Sequence, residues 1–260
     1  MVAYYINANG EKLDLMKAPY RVVEADWYDS DWEESSDGYE KTVKIDVFGK
    51  KDEFVVNMEH LYKIFGSDSE NSSFGKLYVN GTYLRCRSNR MKYTGWKGYV
   101  YSVVEITLYA PKLEWTEELL FSFYQQESEQ TNDGLNFSFD FPFNFTLEKK
   151  GYKAVDVDNV SPNDFILRIY GPCLNPQILI NGYPYEMYCS LEANEYLEID
   201  SINYTIIKYL SNGTTSNLWN ERGLEYSVFE KIPSGSLIIN WSGDFGFDLV
   251  LFVKRRSARW

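Results

Sequence analysis

The sequence predicts an all-β protein with one short helix, arranged as two domains. Aromatic residues make up 17% of the 260 residues, with 22 Tyr and 16 Phe, and such rings pack well on the pleated surface of a strand. In the second half, short apolar segments recur about every 8–12 residues between Asn-Gly and Gly-Pro pairs, as in an antiparallel sandwich. One segment of the first half, residues 57–65, instead has the apolar period of a helix.

The first half begins as a series of strands and hairpins. Residues 4–10 form a short strand that ends in an Asn-Gly turn, and residues 41–48 alternate polar and apolar side chains like a half-buried strand. Residues 52–56 are predicted to be its hairpin partner. A second hairpin spans residues 75–86 around Asn80-Gly81, a pair that tolerates the positive φ of a type I′ turn. The strand at residues 99–110 stops at Pro111.

The helix is predicted over residues 57–65. Asn57 can cap its start, and Gly66 can end it. His60 falls on the polar side and is expected at the surface. Four apolar side chains share the other face, which should be buried: Met58, Leu61, Tyr62 and Phe65.

Residues 24–40 are predicted to form a long exposed loop that carries Trp27 and Trp32. The loop contains eight acidic residues and no basic one. Its acidic spacing lacks the glycine and glutamate positions of a twelve-residue calcium loop, so a solvated acidic loop is favoured over a calcium site.

A polar stretch without periodicity, residues 125–134, marks the domain boundary. The predicted domains are residues 1–128 and 129–260. Directly after the boundary, phenylalanines alternate along the chain with Pro142 among them, which predicts an edge strand or an arm that packs on a domain face or on a partner. These are Phe137, Phe139, Phe141, Phe143 and Phe145.

Composition excludes several classes of function. With 38 acidic and 26 basic residues the net charge is −12, which disfavours binding to nucleic acid or to an anionic membrane. One histidine and three separated cysteines cannot supply a Cys/His zinc site, although a Cys173–Cys189 disulfide stays possible. No nucleotide-binding or nucleophile motif occurs. We therefore expect no enzyme activity, no catalytic residues, no metal and no cofactor.

The two ends of the chain carry little targeting information. The N-terminus lacks the charged and apolar regions of a signal peptide, and no apolar run approaches the length of a membrane span. The C-terminal cluster Lys254-Arg-Arg with Arg259 is predicted to be a solvated tail, with docking to an acidic neighbour as the alternative.

An ordered set of phrases resembles the distal tail protein (Dit) family of long, non-contractile-tailed bacteriophages. In the second half these phrases occupy residues 175–182, 195–201, 205–206, 229–235 and 241–248, followed by the basic tail. In the first half the segments at 57–65, 75–79 and 109–115 follow the same order. The resemblance covers nearly the whole chain.

The resemblance implies an N-terminal β-sandwich with one helix, followed by a galectin-like β-sandwich. It also implies a homohexameric ring formed through the N-terminal domain. Such a ring joins the tail tube protein to tail-tip or receptor-binding proteins and surrounds the channel through which DNA passes without being bound. The expected location is the distal end of the tail in the virion, after synthesis in the host cytoplasm and without contact with a membrane.

Charge and resemblance together suggest a role for the acidic loop. An acidic channel would repel DNA and let it slide through. We therefore expect part of the loop to face the channel or its rim, with simple exposure to solvent as the alternative. The candidate residues are Asp29, Asp31, Glu33 and Glu34.

The alternative function is a lectin-like module that engages polysaccharide of the host cell wall. Sugar sites usually combine an aromatic platform with polar groups, and Tyr185, Trp219 and Trp241 are the candidates for such a platform. The sequence shows no recognisable galectin binding motif.

Overall fold

The computed structural model describes residues 1–23, 32–126 and 151–259. The chain is arranged in two compact units. Unit 1 comprises residues 1–117 together with the residues from Lys254 on, and unit 2 comprises Glu118–Val253. Strands and a single long helix dominate the described residues, which confirms the predicted all-β class with one helix.

Within the described residues, unit 1 contains nine strands and the helix. The strands are β1 (Ala3–Ile6), β2 (Lys12–Asp14), β3 (Tyr20–Val22), β4 (Glu33–Ser35), β5 (Gly38–Phe48), β6 (Gly75–Val79), β7 (Thr82–Thr94), β8 (Tyr101–Ala110) and β9 (Trp115–Phe123), and the helix α1 spans Lys51–Glu70. Strand β9 continues into unit 2.

The long strand β7 takes part in two ladders of unit 1. Its first half pairs with β6, which continues to β1 and β2, and its second half pairs with β8, which continues to β5. The pairing with β8 shifts at a bulge between Ser88 and Arg90. Because a bulge bends and twists a strand, β7 can turn from one ladder into the other. The Asn80-Gly81 hairpin is confirmed, with positive φ at both residues.

The helix is longer than predicted, and residues 52–56 are its first turns rather than a strand. Lys50 precedes the helix and its backbone N–H donates to the carboxylate of Glu53 at 3.2 Å, while Asp52 and Glu53 place negative charge at the N-terminus. Asn57 lies inside the helix and donates to the carbonyl of Phe48 at 2.8 Å. The helix also passes through Gly66 and ends at Glu70.

The buried face of α1 differs in part from the prediction. Leu61 and Phe65 are fully buried and His60 is on the surface, all as expected. Tyr62 differs from the prediction, because it is 46% exposed. Phe54 and Ile64 complete the buried stripe. The misplaced start explains the error, because Phe54 belongs to the helical period and not to a strand.

Asp68 is the buried polar centre of unit 1. Its carboxylate lies 2.5 Å from the hydroxyl of Tyr5 in β1 and accepts the backbone N–H of Ala8 at 2.9 Å and the hydroxyl of Ser73 at 3.1 Å. Only 1% of Asp68 is exposed. Burial, with the neighbouring Cys86 and Asp68, raises the pKa of the Tyr5 hydroxyl. The contact therefore holds a neutral tyrosine as donor to a fully satisfied carboxylate.

Two expectations at the margins of unit 1 are wrong. Trp32 is 7% exposed and packs into the core instead of lying on an exposed loop, while Trp27 lies outside the described residues. The C-terminal cluster is also not a free tail, although its side chains stay partly exposed. Arg255 and Arg259 pair with Glu117, and the carbonyl of Arg259 accepts the amide of Asn80 at 3.0 Å. The predicted alternative, docking to an acidic neighbour, is realised within the same chain.

The described part of unit 2 contains eleven further strands and one short 3-10 helix (Trp219–Glu221). The strands are β10 (Gly151–Val157), β11 (Asp164–Tyr170), β12 (Cys173–Leu174), β13 (Gln177–Ile180), β14 (Tyr183–Glu186), β15 (Ser190–Leu191), β16 (Tyr196–Asp200), β17 (Thr205–Tyr209), β18 (Thr215–Asn217), β19 (Gly235–Trp241) and β20 (Phe247–Arg255), which continues into unit 1.

These strands form an antiparallel sandwich. One ladder runs β18-β17-β16-β11-β20 and the other β10-β19-β13-β14. Alternate side chains of both ladders meet in one core; Leu167, Ile199 and Leu249 come from the first, and Ile180 and Ile239 from the second. This is the burial pattern that alternating strands require. All three cysteines are free thiols, so the possible Cys173–Cys189 disulfide is not formed.

The predicted phenylalanine arm, residues 137–145, lies outside the described residues. Within the part of the chain that the structure describes, no helix is long and apolar enough to cross a membrane.

We expect Leu61→Ala to lower the free energy of unfolding by ~2–5 kcal/mol, because the side chain is fully buried between α1 and the sheet and its loss leaves a cavity. Chemical denaturation followed by circular dichroism measures the change. Val56→Ala, at a position 62% exposed on the same helix, is the control and should stay within about 0.5 kcal/mol of the wild type. Equal stabilities for both variants would contradict the assigned helix face.

We expect Asp68→Ala to destabilise the protein by ~3 kcal/mol or more, since a fully buried side chain is removed and three donors lose this acceptor. They are the hydroxyl of Tyr5, which keeps only the carbonyl of Cys86 at 3.1 Å, and the part-buried donors of Ala8 and Ser73. Asp52→Ala, at an exposed site in the first turn of the same helix, should cost at most about 1 kcal/mol. Urea unfolding curves of the two variants provide the comparison. A loss no greater for Asp68→Ala than for Asp52→Ala would rule out this structural role.

Candidate assembly surface

Unit 1 exposes a cluster of large apolar side chains that we call the aromatic patch. It surrounds a hollow of about 460 Å³ lined by Phe54, Val55, Met58, Glu59, Tyr93, Trp96 and Tyr99. Trp96 and Tyr99 are each 55% exposed, and Tyr93 is 48% exposed. Exposed aromatic clusters of this kind mark interaction sites, because isolated soluble proteins rarely keep contiguous apolar surface in water.

Two elements build the aromatic patch. The outer face of α1 supplies Val55 and Met58, and the connection between β7 and β8 supplies Trp96 and Tyr99. Gly95 and Gly98 in that connection have φ of 60° and 61°, a region that favours glycine. The two glycines therefore let the connection turn back sharply.

The rings of the aromatic patch are held by edge and face contacts. Phe54 meets Trp96 edge-on at a centroid distance of 5.6 Å, and Trp96 meets Tyr99 at 5.3 Å. Beside them Tyr62 and Tyr93 stack at 6.1 Å. Burial, together with the nearby hydroxyl of Tyr62, raises the pKa of Tyr93 to about 12. The surface is therefore uncharged at neutral pH except for Glu59, and its rings are already positioned for contact.

Sequence reasoning missed the aromatic patch. The available signal was the spacing of three aromatic residues, Tyr93, Trp96 and Tyr99, with one glycine between each two of them. That signal could not identify the helix as the second wall, since Val55 was assigned to a strand.

The acidic candidates are only partly described. Glu33 and Glu34 lie on β4, are exposed, and face Glu40 and Tyr39 of β5 in the ladder. Asp29 and Asp31 lie outside the described residues. Glu33 and Glu34 thus form an exposed acidic edge on the β4–β5 hairpin.

The predicted sugar platform is not formed, because two of its three rings are in the core. Tyr185 is 2% and Trp241 7% exposed. The indole N–H of Trp241 donates to the carbonyl of Phe245 at 3.0 Å, and a Cβ at Gly151 would lie 2.2 Å from the indole ring. The backbone of β10 therefore covers that ring.

Trp219, the third ring, is 39% exposed but already engaged on its faces. It stacks on Phe229 at 5.4 Å, and the guanidinium of Arg222 lies 4.3 Å from its centroid. The alternation of side chains along β14 and β19 is the signal that places Tyr185 and Trp241 inward.

Among residues 1–23, 32–126 and 151–259, no group of three or more His, Cys, Asp or Glu side chains is arranged to hold a metal ion. His60 is exposed, and its Nδ1 lies 3.0 Å from the hydroxyl of Tyr20.

Comparison with known proteins identifies the fold. No protein-family model and no curated protein sequence matches the chain. Solved structures do match it. A chain of the phage P2 baseplate in its activated conformation with Ca is 14% identical, with a TM-score of 0.58 over 99% of this chain and 100% of that chain. A chain of the phage p2 baseplate in its activated conformation with Sr is 13% identical, with a TM-score of 0.57 over 99% of this chain and 99% of that chain.

The Dit protein of phage SPP1 is a further match. It is described as a paradigm of the hub of the adsorption apparatus in phages that infect Gram-positive bacteria. It is 10% identical, with a TM-score of 0.54 over 98% of this chain and 100% of its own. At these identities the comparisons show a shared fold over nearly the whole chain, as the resemblance implied.

Proposed function

We propose that this protein is a structural hub of a bacteriophage tail tip or baseplate. The observation that carries the proposal is the full-length likeness to the Dit hub of phage SPP1 and to a chain of the phage P2 baseplate. Fold alone does not determine function. The aromatic patch adds independent support, since a hub works by binding other proteins and this surface has the character of an interface.

In the proposed assembly six copies form a ring through the N-terminal domain, predicted as residues 1–128. The C-terminal domain, predicted as residues 129–260, is galectin-like. The ring joins the tail tube protein to the tail-tip or receptor-binding proteins in the virion and surrounds the DNA channel. We assign a second copy of this chain to the aromatic patch, because the patch lies in the domain that forms the ring and offers the rigid aromatic anchors typical of binding hot spots. The proposal involves no enzyme activity.

The lectin-like alternative is not proposed as the main function. Of the three residues expected to form its platform, Tyr185 and Trp241 are buried in the core, and Trp219 stacks on Phe229.

Light scattering should give the purified protein a mass near six copies, and negative-stain images should show rings. Val55→Asp places a charge in the aromatic patch, at a position 39% exposed, and should weaken self-association at least about tenfold because the charge would be desolvated in the contact. Val160→Asp, at a fully exposed position of unit 2, is the matched control and should assemble like the wild type.

These measurements separate two failures. A wild-type protein that stays monomeric at high concentration would count against the ring. Rings that form equally well in Val55→Asp would leave the hub in place and remove the aromatic patch from its interface.

We also propose that the acids of the 26–40 segment face the channel or its rim. Changing Asp29, Asp31, Glu33 and Glu34 together to Lys should make the ring bind double-stranded DNA, and that binding should fall steeply with added salt. The control carries the same charge change at exposed acids of unit 2, namely Asp156, Asp158, Glu221 and Glu225. Electrophoretic mobility at several salt concentrations reads out the result. No gain of DNA binding, or an equal gain in both variants, would remove the support for this placement.

A further inference from the structure

Unit 2 contains an open cleft of about 400 Å³ that the assembly role does not use. We call it the tyrosine cleft; the residues lining it that matter here are Tyr124, Tyr170, Pro172, Asp244, Phe245 and Asp248. Its volume falls in the range of about 300–1,000 Å³ that is usual for small-ligand sites. Three separate chain segments meet there, so the arrangement depends on the folded sandwich.

The cleft combines ring surface with hydrogen-bond acceptors. Tyr124 is 77% and Tyr170 39% exposed. The hydroxyl of Tyr170 donates to Oδ2 of Asp248 at 2.8 Å, which fixes that carboxylate. The exposed carboxylate of Asp244 is the second acceptor. Ionised carboxylates accept hydrogen bonds and cannot donate them, so the ligand has to supply the donors.

The hydroxyl of Tyr170 stays protonated at neutral pH, so its hydrogen bond to Asp248 is kept. Burial raises the pKa of Tyr170 to about 12, and the hydrogen bond to Asp248 acts in the same direction. The tyrosine therefore stays a donor and leaves the carboxylate as acceptor throughout the physiological range.

A stripe of tyrosines adjoins the cleft. Tyr170 of β11 faces Tyr196 of β16, which in turn faces Tyr209 of β17 in the ladder. The ring centroids are 6.1 Å apart in the first pair and 4.5 Å in the second, which is stacked. Aromatic surface thus extends from the cleft across three neighbouring strands, far enough for a ligand longer than one ring.

The charge of the cleft selects against anions. None of the described residues that line it is Lys, Arg or His, and two of them are acidic. A phosphate, a uronate or another carboxylate would meet the carboxylates of Asp244 and Asp248. The two nearest cations already have partners, since Lys153 donates to the carbonyl of Ser122 at 3.3 Å and Arg168, opposite Asp248 in the ladder, donates to Glu198 at 2.7 Å. The best match is a molecule that presents an apolar face to the rings and several hydroxyl donors to Asp244 and Asp248.

We propose that the tyrosine cleft binds a neutral oligosaccharide, whose C–H faces lie on the tyrosines and whose hydroxyls donate to Asp244 and Asp248. This site shares no residue with the platform expected from the sequence. All its residues belong to unit 2 of one chain.

The test is calorimetric titration of the full-length protein with neutral tetrasaccharides of glucose, galactose, rhamnose and N-acetylglucosamine. A tetragalacturonate serves as the anionic comparison. At least one neutral probe should bind with a Kd below about 1 mM, and the anionic probe should not bind.

Two variants test the assigned groups on the neutral probe that binds. Asp248→Asn keeps an acceptor for Tyr170 but loses the charge, and Tyr124→Ala removes the most exposed ring; each should weaken binding at least about tenfold. Asp156→Asn and Tyr152→Ala, at exposed positions on β10 outside the cleft, are the matched controls and should bind like the wild type. An unchanged thermal midpoint verifies that each variant is folded.

Three results would overturn the proposal. The first is that none of the four neutral probes binds. The second is that tetragalacturonate binds as well as the neutral probes, and the third is that Asp248→Asn and Tyr124→Ala bind no more weakly than the controls.

Discussion

A single buried carboxylate organises the N-terminal unit. Asp68 sits near the end of α1 with 1% of its surface exposed, and an isolated charge there would be costly. It is tolerated because Tyr5, Ala8 and Ser73 all donate to it. Those donors come from the first strand, from the turn that follows it and from the chain entering β6, so one acceptor fixes the helix against three separate pieces of backbone.

Close packing around this carboxylate leaves no spare room. A Cβ at Gly75 would lie 2.4 Å from the Tyr5 hydroxyl and 2.5 Å from the carbonyl of Ile6, so only glycine lets β6 approach β1 at that point. With the inner side of α1 fixed in this way, its outer side is held at a constant distance from the β7–β8 connection. Ring contacts of Trp96 with Phe54 and Tyr99 also place the aromatic patch before any partner binds, and a preformed surface loses less entropy on forming an interface.

Ion pairs of the C-terminal residues also stabilise unit 1. Glu117 receives Arg255 and Arg259, at the point in β9 where the chain leaves unit 1. The end of the chain thus returns to the unit in which the chain began. Assembly and recognition are then carried by different units, the proposed ring contact by unit 1 and the proposed saccharide site by unit 2. Loops on a stable scaffold can acquire a binding role in this way without disturbing its core.

The sequence by itself determined the elements that depend on local chemistry. Asn80-Gly81 sets its hairpin through positive φ, and the alternation in residues 165–170 and 196–200 requires strands with one buried face. Such signals predicted the all-β class and one helix. They could not decide residues 52–56, because the short apolar run Phe54-Val55-Val56 suits a strand as well as a helical turn. The helix prevails because Phe54 completes its buried stripe.

The tertiary structure alone decided which polar and aromatic groups meet. Tyr185 and Trp241 resemble surface platform residues in the sequence but face the core, whereas Tyr124, Tyr170 and Asp248 come together only after three distant segments pack. The aromatic patch likewise needs a helix and a strand connection that are about 40 residues apart in the chain. Side-chain period reports which face of an element is apolar, but it carries no information about which faces of different elements will adjoin.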